Sequence, residues 1–408
     1  MAAPASVVVV GGGLAGFTTV SELRRRGFAG ALTLIEPGGL PYDRPPLSKA
    51  YLAGDAPAEK LDFTPASWFA QHDVALVVDR AVDVDAAAGR VTLEGGGALQ
   101  ADVVVLATGG HARQLHVPGG DLAGLHVLRT KADADALREH LVAGRRLAVI
   151  GAGLIGAEVA STAAKAGARV TLIDPVEIPI VPAVGLALAT ALHRLHAEHG
   201  VATIEGQTTE IQRAGDGWRV VVDEGAAHGG FDVEADAVLV AIGIVPSVEL
   251  AVAAGLDVEN GVLVDAQQRT SNPRVYAVGD SSRLRLPDGT LLHRHEHWDS
   301  ALQSGQRAAA SIVGAEPPAG SAAWFWSDRY GHHVEGCGSM LTGHIVVREL
   351  DGRPAMEFRL GDDHRLLGAS AIDGGTAIKA ARRMIDRGIV VDPDKLADPS
   401  IDLKRLAK

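Results

Sequence analysis

Residues 7–36 read VVVVGGGLAGFTTVSELRRRGFAGALTLIE, and residues 147–174 read LAVIGAGLIGAEVASTAAKAGARVTLID. Each is an apolar strand, a glycine turn, a helix, a second apolar strand and a closing acid, which is the order of a βαβ unit. The unbroken run Val7 to Val10 suits a strand buried on both faces of a parallel sheet. In the first copy Gly11, Gly13 and Gly16 follow the strand directly. The first glycine permits the tight turn, the second lets a pyrophosphate approach the backbone, and the third lets the helix pack closely on the strand. The helix start offers free N–H groups and a partial positive charge to phosphates. Glu36, 20 residues past Gly16, is placed to accept from ribose hydroxyls. The second copy repeats the pattern with Gly151, Gly153, Gly156 and Asp174.

A lone motif of this kind is weak in a glycine-rich chain. Two complete copies imply two dinucleotides, FAD at the N-terminal site and a nicotinamide at the middle one. A carboxylate at Asp174 repels the 2′-phosphate of NADP, and the following PVEIPIVP (175–182) holds no base, so NADH is favoured.

The chain has 408 residues, enough for two or three domains. Its net charge of −12 argues against non-specific nucleic-acid binding, although a local basic patch stays compatible with it. The first strand begins near Ser6, which leaves no room for a signal peptide, and no apolar run approaches the ~18 residues of a membrane span. The expectation is a soluble, cytoplasmic protein that does not engage membranes. Cys337 is the only cysteine, so an internal disulfide, a CxxC redox pair and a cysteine-rich metal cluster are excluded.

Residues 102–110 and 236–246 read as strands ending at glycine. The stretches before them, 74–101 and 201–235, alternate apolar and polar residues and are expected to be inserted antiparallel strands. A short helix over 248–254, a strand over 275–282 and a helix over 298–313 follow. The linker at 314–323 is rich in Pro, Gly and Ala and marks a boundary. Beyond it, strands at 344–350, 355–360 and 365–372 and a helix at 376–387 make a small α+β domain. The expected fold is α/β. Two Rossmann-like dinucleotide-binding domains are followed by a C-terminal α+β domain. An FAD-binding domain covers 1–111 and 241–315, an NADH-binding domain 112–240, and the C-terminal domain 316–408.

Further motifs narrow the reading: ATG at 107–109, YAVGD at 276–280, PYDRPPLSK at 41–49, LRT at 128–130, WFWSD at 324–328 and LADPSIDLKRLA at 396–407. With them the chain resembles, nearly end to end, the FAD-dependent ferredoxin reductases that serve bacterial dioxygenases and haem monooxygenases. PYDRPPLSK and WFWSD carry more specificity than the glycine turns. The resemblance implies a glutathione-reductase-like arrangement of the two dinucleotide domains. It puts Ala15 and Glu36 at the FAD phosphates and adenosine ribose, Arg44 and Lys49 beside the flavin, and the Val82 backbone at the adenine. Arg129 falls near the pyrophosphate, Asp280 at the ribityl chain and Trp298 at the isoalloxazine. Leu14, Pro45, Ala107, Thr108, Gly109 and Gly279 complete the FAD set. Gly151 to Gly156 with Leu154 and Ile155, together with Glu158, Asp174 and Gly243, form the NADH set. Lys49 and Glu158 are the candidate catalytic pair: a fixed cation stabilises negative charge on the flavin, and Glu158 is placed to pair with it.

No cysteine lies near residues 40–50, where thiol-dependent relatives carry theirs, so electrons leave the flavin directly. The leading expectation is NADH:ferredoxin reductase, passing hydride from NADH to FAD and single electrons to a [2Fe–2S] ferredoxin that feeds an oxygenase. That partner would bind transiently and electrostatically, with the reductase a monomer or homodimer. The alternatives are an NADH oxidase or small-molecule flavin reductase without a protein acceptor, and a redox-sensing flavoprotein. Three features bear on the acceptor. His293, His295 and His297 alternate, as on one strand face; they are read as solvated or flavin-edge histidines rather than metal ligands, and no metal is expected. Trp324 and Trp326 bracket Phe325, either as core or as an exposed edge near the acceptor. Arg283, Arg285, Arg294, Arg329, Lys379, Arg382 and Arg383 are candidate members of a basic docking patch.

Overall fold

A computed structural model describes residues 4–223, 225 and 230–408. By contacts the chain forms two compact units. The first contains Met1–Asp43, Glu59–His111 and Ile244–Gly320; the second contains Arg44–Ala58, Ala112–Gly243 and Ser321–Lys408.

The first unit is built on a parallel sheet in the order Val275–Ala277, Val103–Leu106, Ser6–Val10, Ala31–Ile35, Val74–Val77. Val7 to Val10 are buried, as an interior parallel strand requires. The helices Leu14–Arg25 and Trp298–Ile312 cover one face of this sheet, with Val20, Leu23, Ala308 and Ile312 in the shared core. They approach closely because Gly305 carries no side chain: a Cβ there would lie 2.6 Å from the Ala15 carbonyl oxygen. On the other face sits an antiparallel sheet of Ala81–Asp85, Arg90–Leu93 and Ala98–Gln100.

The second unit repeats the plan. Its parallel sheet runs Ala202–Glu205, Arg169–Asp174, Arg146–Ile150, Ala237–Val240. Its antiparallel insertion is Gln207–Ala214, Gly217–Asp223 and Gly230–Ala235. The unit also holds an antiparallel sheet ordered Trp324–Arg329, His332–Gly338, Leu366–Ile372, Arg353–Leu360, His344–Leu350. The helix Ala377–Arg387 packs Ile378, Ala381 and Met384 against Phe358 and Ala369.

Three local expectations change. The antiparallel insertions begin later than residues 74 and 201: Val74–Val77 and Ala202–Glu205 join the parallel sheets. Each follows a helix, Ser67–Gln71 or Leu186–Glu198, so each is the return strand of a crossover. Within 201–235, residues 224 and 226–229 lie outside the described residues. Residues 292–297 form no strand. The histidine rings nevertheless pack in series, His293 on His295 at 5.3 Å and His295 on His297 at 6.0 Å between centroids. The C-terminal sheet also contains Trp324–Arg329 and His332–Gly338, joined through Tyr330 and Gly331, both at positive φ as a two-residue hairpin turn demands.

Candidate active site

In the first unit the glycine turn is fixed by sterics. Gly11 has φ +105°, and a Cβ there would sit 2.3 Å from the Ala107 carbonyl oxygen. A Cβ on Gly16 would sit 1.9 Å from the Gly11 oxygen. The helix Leu14–Arg25 starts at Gly13 with no side-chain cap and no acidic residue in its first turn. Its N–H groups and dipole are therefore left for an anionic ligand. Glu36 sits beside the turn, Oε2 accepting from Gly12 N at 2.7 Å and Oε1 from Gly38 N at 2.9 Å. Each carboxylate oxygen keeps a further lone pair for a hydroxyl. Ala107 is buried, Thr108 Oγ1 donates to the Ser247 carbonyl at 2.6 Å, and Gly109 turns the chain at φ +65°.

Gly279 brings the start of a 3-10 turn against the same helix, since a Cβ there would lie 2.8 Å from that of Ala15. Its N–H donates to Ser304 Oγ at 2.9 Å. The Asp280 carbonyl accepts from Arg294 Nη1 at 2.8 Å. Trp298 opens its helix with Nε1 donating to Asp43 Oδ1 at 2.9 Å. Val82 is exposed and sits at a bulge where the register shifts between Ala81 and Asp83. The bulge removes it from the ladder and leaves backbone available.

The second unit carries the matching cradle. Gly151 has φ +101°, and its Cβ would meet the Ala241 carbonyl oxygen at 2.5 Å; a Cβ on Gly156 would meet the Gly151 oxygen at 1.9 Å. A Cβ on Gly153 would meet nothing within 4 Å, which leaves the open approach a pyrophosphate needs. The helix Leu154–Lys165 likewise starts without a side-chain cap, and Ile155 is exposed beside it. Asp174 reproduces the Glu36 geometry, accepting from Ala152 N at 2.7 Å and Val176 N at 3.0 Å. Gly243 takes φ +100° in open space. Both cradles thus fit a dinucleotide.

Glu158 projects from that same helix and is 4% exposed. Lys49 Nζ lies 3.0 Å from its Oε1. The Ser48 hydroxyl donates to Oε2; Ser327 Oγ donates to Oε1 at 2.6 Å and the Asp328 N–H at 3.3 Å. Lys49 follows the 3-10 turn Pro45–Ser48, whose two prolines fix the entering backbone after Arg44. One helix turn further, Thr162 Oγ1 donates to the Ser48 carbonyl and Ser161 Oγ accepts from Tyr330 N. PYDRPPLSK and WFWSD therefore converge on one helical face. Arg129 precedes the helix Lys131–Arg138, and its N–H donates to Asp133 Oδ2 at 2.9 Å.

Ser48, Ser327 and Asp43 are not among the residues expected from sequence, and Arg329 is expected only in the docking patch. Period-two alternation in Trp324–Arg329 is the signal that could have found two of them, because it puts Ser327 and Arg329 on the buried face with Phe325. Trp324 and Trp326 lie on the opposite face, half-buried and stacked at 5.0 Å, while Phe325 is core. The basic patch is reduced. Arg329 is buried, the Arg294 side chain is nearly so and holds Glu296, and Arg283 and Arg285 are engaged by Glu259 and Asp257. Lys379 and Arg383 remain exposed; Arg382 donates to the Ala322 carbonyl.

His293, His295 and His297 line a cavity of about 300 Å³ with Asn260, Arg283, Arg294 and Glu296. Burial pushes the His297 pKa down to about 4, with His295 adding to the shift. Among the described residues no group of three or more His, Cys, Asp or Glu side chains is arranged to hold a metal ion. Cys337 is buried in the C-terminal core, which pushes its thiol up to about 12.

The sequence matches the family described as pyridine nucleotide-disulphide oxidoreductase over residues 5–305, and reductase C-terminal over residues 324–407. It is 39% identical to an anthranilate 1,2-dioxygenase system ferredoxin–NAD(+) reductase component from Burkholderia cepacia, covering 97% of this chain and 98% of that one. It is 36% identical to a rhodocoxin reductase from Rhodococcus erythropolis, covering 98% and 93%. The fold superposes on the reductase of the covalent putidaredoxin reductase–putidaredoxin complex with a TM-score of 0.91 at 34% identity, covering 98% and 97%.

Proposed function

The chain belongs to the pyridine nucleotide-disulphide oxidoreductase family, and from that premise we propose that it is an FAD-dependent NADH:ferredoxin reductase of an oxygenase system. FAD supplies the conversion of one hydride equivalent into two single-electron transfers. The observation that carries the reading is the Lys49–Glu158 pair, which ties PYDRPPLSK to the helix of the second glycine motif. Gly11, Gly13, Leu14, Ala15, Gly16, Glu36, Ala107, Thr108, Gly109, Gly279, Asp280 and Trp298 are the proposed FAD contacts of the first unit, with Val82 at the adenine. Gly151, Gly153 to Gly156, Asp174 and Gly243 are the proposed NADH contacts. The roles of Arg44, Pro45 and Arg129 rest on the resemblance.

Lys49 holds a positive charge against a buried carboxylate, which fixes the ammonium in position. Asp174 and Glu36 bind ribose hydroxyls with the lone pairs left by their backbone donors. The proposed acceptor is a [2Fe–2S] ferredoxin, bound transiently. Exposed Lys379 and Arg383 on the helix Ala377–Arg387 support steering of an acidic partner. Among the described residues no helix is long and apolar enough to cross a membrane.

The cavity lined by His293, His295 and His297 favours a second reading, a small oxidant in place of a protein acceptor. Stopped-flow absorbance separates the two. Rapid bleaching of the flavin by NADH, slow reoxidation in air and fast turnover with added ferredoxin are expected. Fast air reoxidation without any gain from ferredoxin would overturn the reductase reading.

A further inference from the structure

Behind Glu158 stands a second cation. The strand Trp324–Arg329 turns Phe325, Ser327 and Arg329 to its buried face. Ser327 Oγ donates to Glu158 Oε1 at 2.6 Å and accepts from Arg329 Nη2 at 3.1 Å. Arg329 is 3% exposed, and among the described residues its Nε has no hydrogen-bond partner. A buried charge with an unmet donor opposes folding, and an apolar side chain of similar volume would avoid that cost. Burial lowers the pKa of Arg329, and the charge on Glu158 is the leading influence that raises it. The other groups nearby do not replace this cation. Burial holds His196 down to about 3, so it is neutral, and it bonds to Tyr330 Oη through Nδ1 at 2.7 Å. Tyr330 is kept protonated by burial. Asp328 is 3.9 Å from Lys49 but half-exposed and bonded to His333 Nδ1 at 2.6 Å.

We propose that Arg329 is a positioning residue that acts through Ser327 on Glu158, so that Lys49 is only partly neutralised and keeps a positive potential for the flavin. Two cations then share one buried carboxylate. The proposal rests on the reading of Lys49 as the flavin-side cation. Arg329 touches neither the acceptor nor the nucleotide in this scheme; it sets how much of the Lys49 charge Glu158 cancels.

The test uses Arg329→Gln, Arg329→Lys and Ser327→Ala as FAD-loaded proteins. The flavin midpoint potential is measured by spectroelectrochemical titration, and single-turnover bleaching by NADH is followed separately. Arg329→Gln is expected to lower the potential and slow bleaching about ten-fold, close to 1.4 kcal/mol. Arg329→Lys restores both, and Ser327→Ala moves both in the same direction as Arg329→Gln by a smaller amount. An unchanged potential in Arg329→Gln, or a lysine that fails to restore it, overturns the proposal. Should Arg329→Gln fail to fold, Ser327→Ala decides alone, with an unchanged potential counting against it. Wild-type protein that NADH does not bleach would sink the reductase reading instead, and the potentials would still compare the variants.

Discussion

Lys49 Nζ and Glu158 Oε1 lie 3.0 Å apart, and the carboxylate side of that pair is closed to water. The pair joins a prolyl turn to the helix of the second glycine motif. Removing either partner takes away the other's nearest opposite charge in a largely buried setting. Lys49→Met removes the proposed flavin-side charge and Glu158→Gln removes the anchor that fixes it in position, so each is expected to slow NADH bleaching by about a hundred-fold, the low end for loss of one preorganised electrostatic group. The double variant should lose less than the product of the two, because they act as a unit. Single-turnover rates of all three check this, and independent, multiplicative losses would count against the pair.

The glycine turns offer a separable test of the two cradles. Gly11→Ala forces a Cβ to 2.3 Å from a carbonyl oxygen at φ +105°, and Gly151→Ala does the same at 2.5 Å and +101°. Gly11→Ala is expected to purify with little FAD. Gly151→Ala should keep its yellow colour but bind NADH at least about ten-fold more weakly, as for a lost contact of about 1.4 kcal/mol. Flavin absorbance and a titration with NAD+ read the two outcomes.

The proposed docking surface draws on fewer exposed basic residues than the sequence offers. Lys379→Glu with Arg383→Glu should slow ferredoxin reduction several-fold at low salt and leave ferricyanide reduction near wild type, since rim charges act mainly on association. The effect should shrink as salt screens it. Steady-state assays at two ionic strengths suffice; equal losses with both acceptors remove the docking role.

His196 ties stability to pH. Its folded pKa is depressed to about 3 by burial, while an unfolded histidine titrates near 6.5. Its contribution is therefore complete above about pH 6.5 and is lost progressively as the pH falls toward about 3. At pH 5 the loss amounts to about 2 kcal/mol for this residue. His196→Phe should flatten the fall of the denaturation midpoint between pH 7.5 and 5. A slope as steep as that of wild type would assign the acid sensitivity elsewhere.

The glycine turns, both closing acids and the order of the strands could be read directly, because each follows from local sterics over a few adjacent residues. Lys49 and Glu158 were also named from sequence, through motif and helix position. Arg329 was misread as a surface charge. Its burial depends on which face of a strand meets the helix, and charge alone carries no such information. The histidines at 293, 295 and 297 suggested a strand by alternation, yet among the described residues 292–297 lack ladder partners, so the period was right and the element was not. Val74–Val77 and Ala202–Glu205 were assigned to the wrong sheets because a short alternating run does not reveal whether its neighbour is a hairpin mate or the far end of a crossover.

The donors on Glu158 arrive from opposite ends of the polypeptide. Ser48 and Lys49 leave the ribosome early, whereas Ser327 and Asp328 emerge only after both nucleotide cradles have been made. A nascent chain can thus form both glycine turns long before its buried carboxylate is fully held. Synthesis order thus completes the Glu158 cluster only after both glycine turns exist, and a message truncated after residue 320 would yield a chain whose glutamate still lacks two of its four donors.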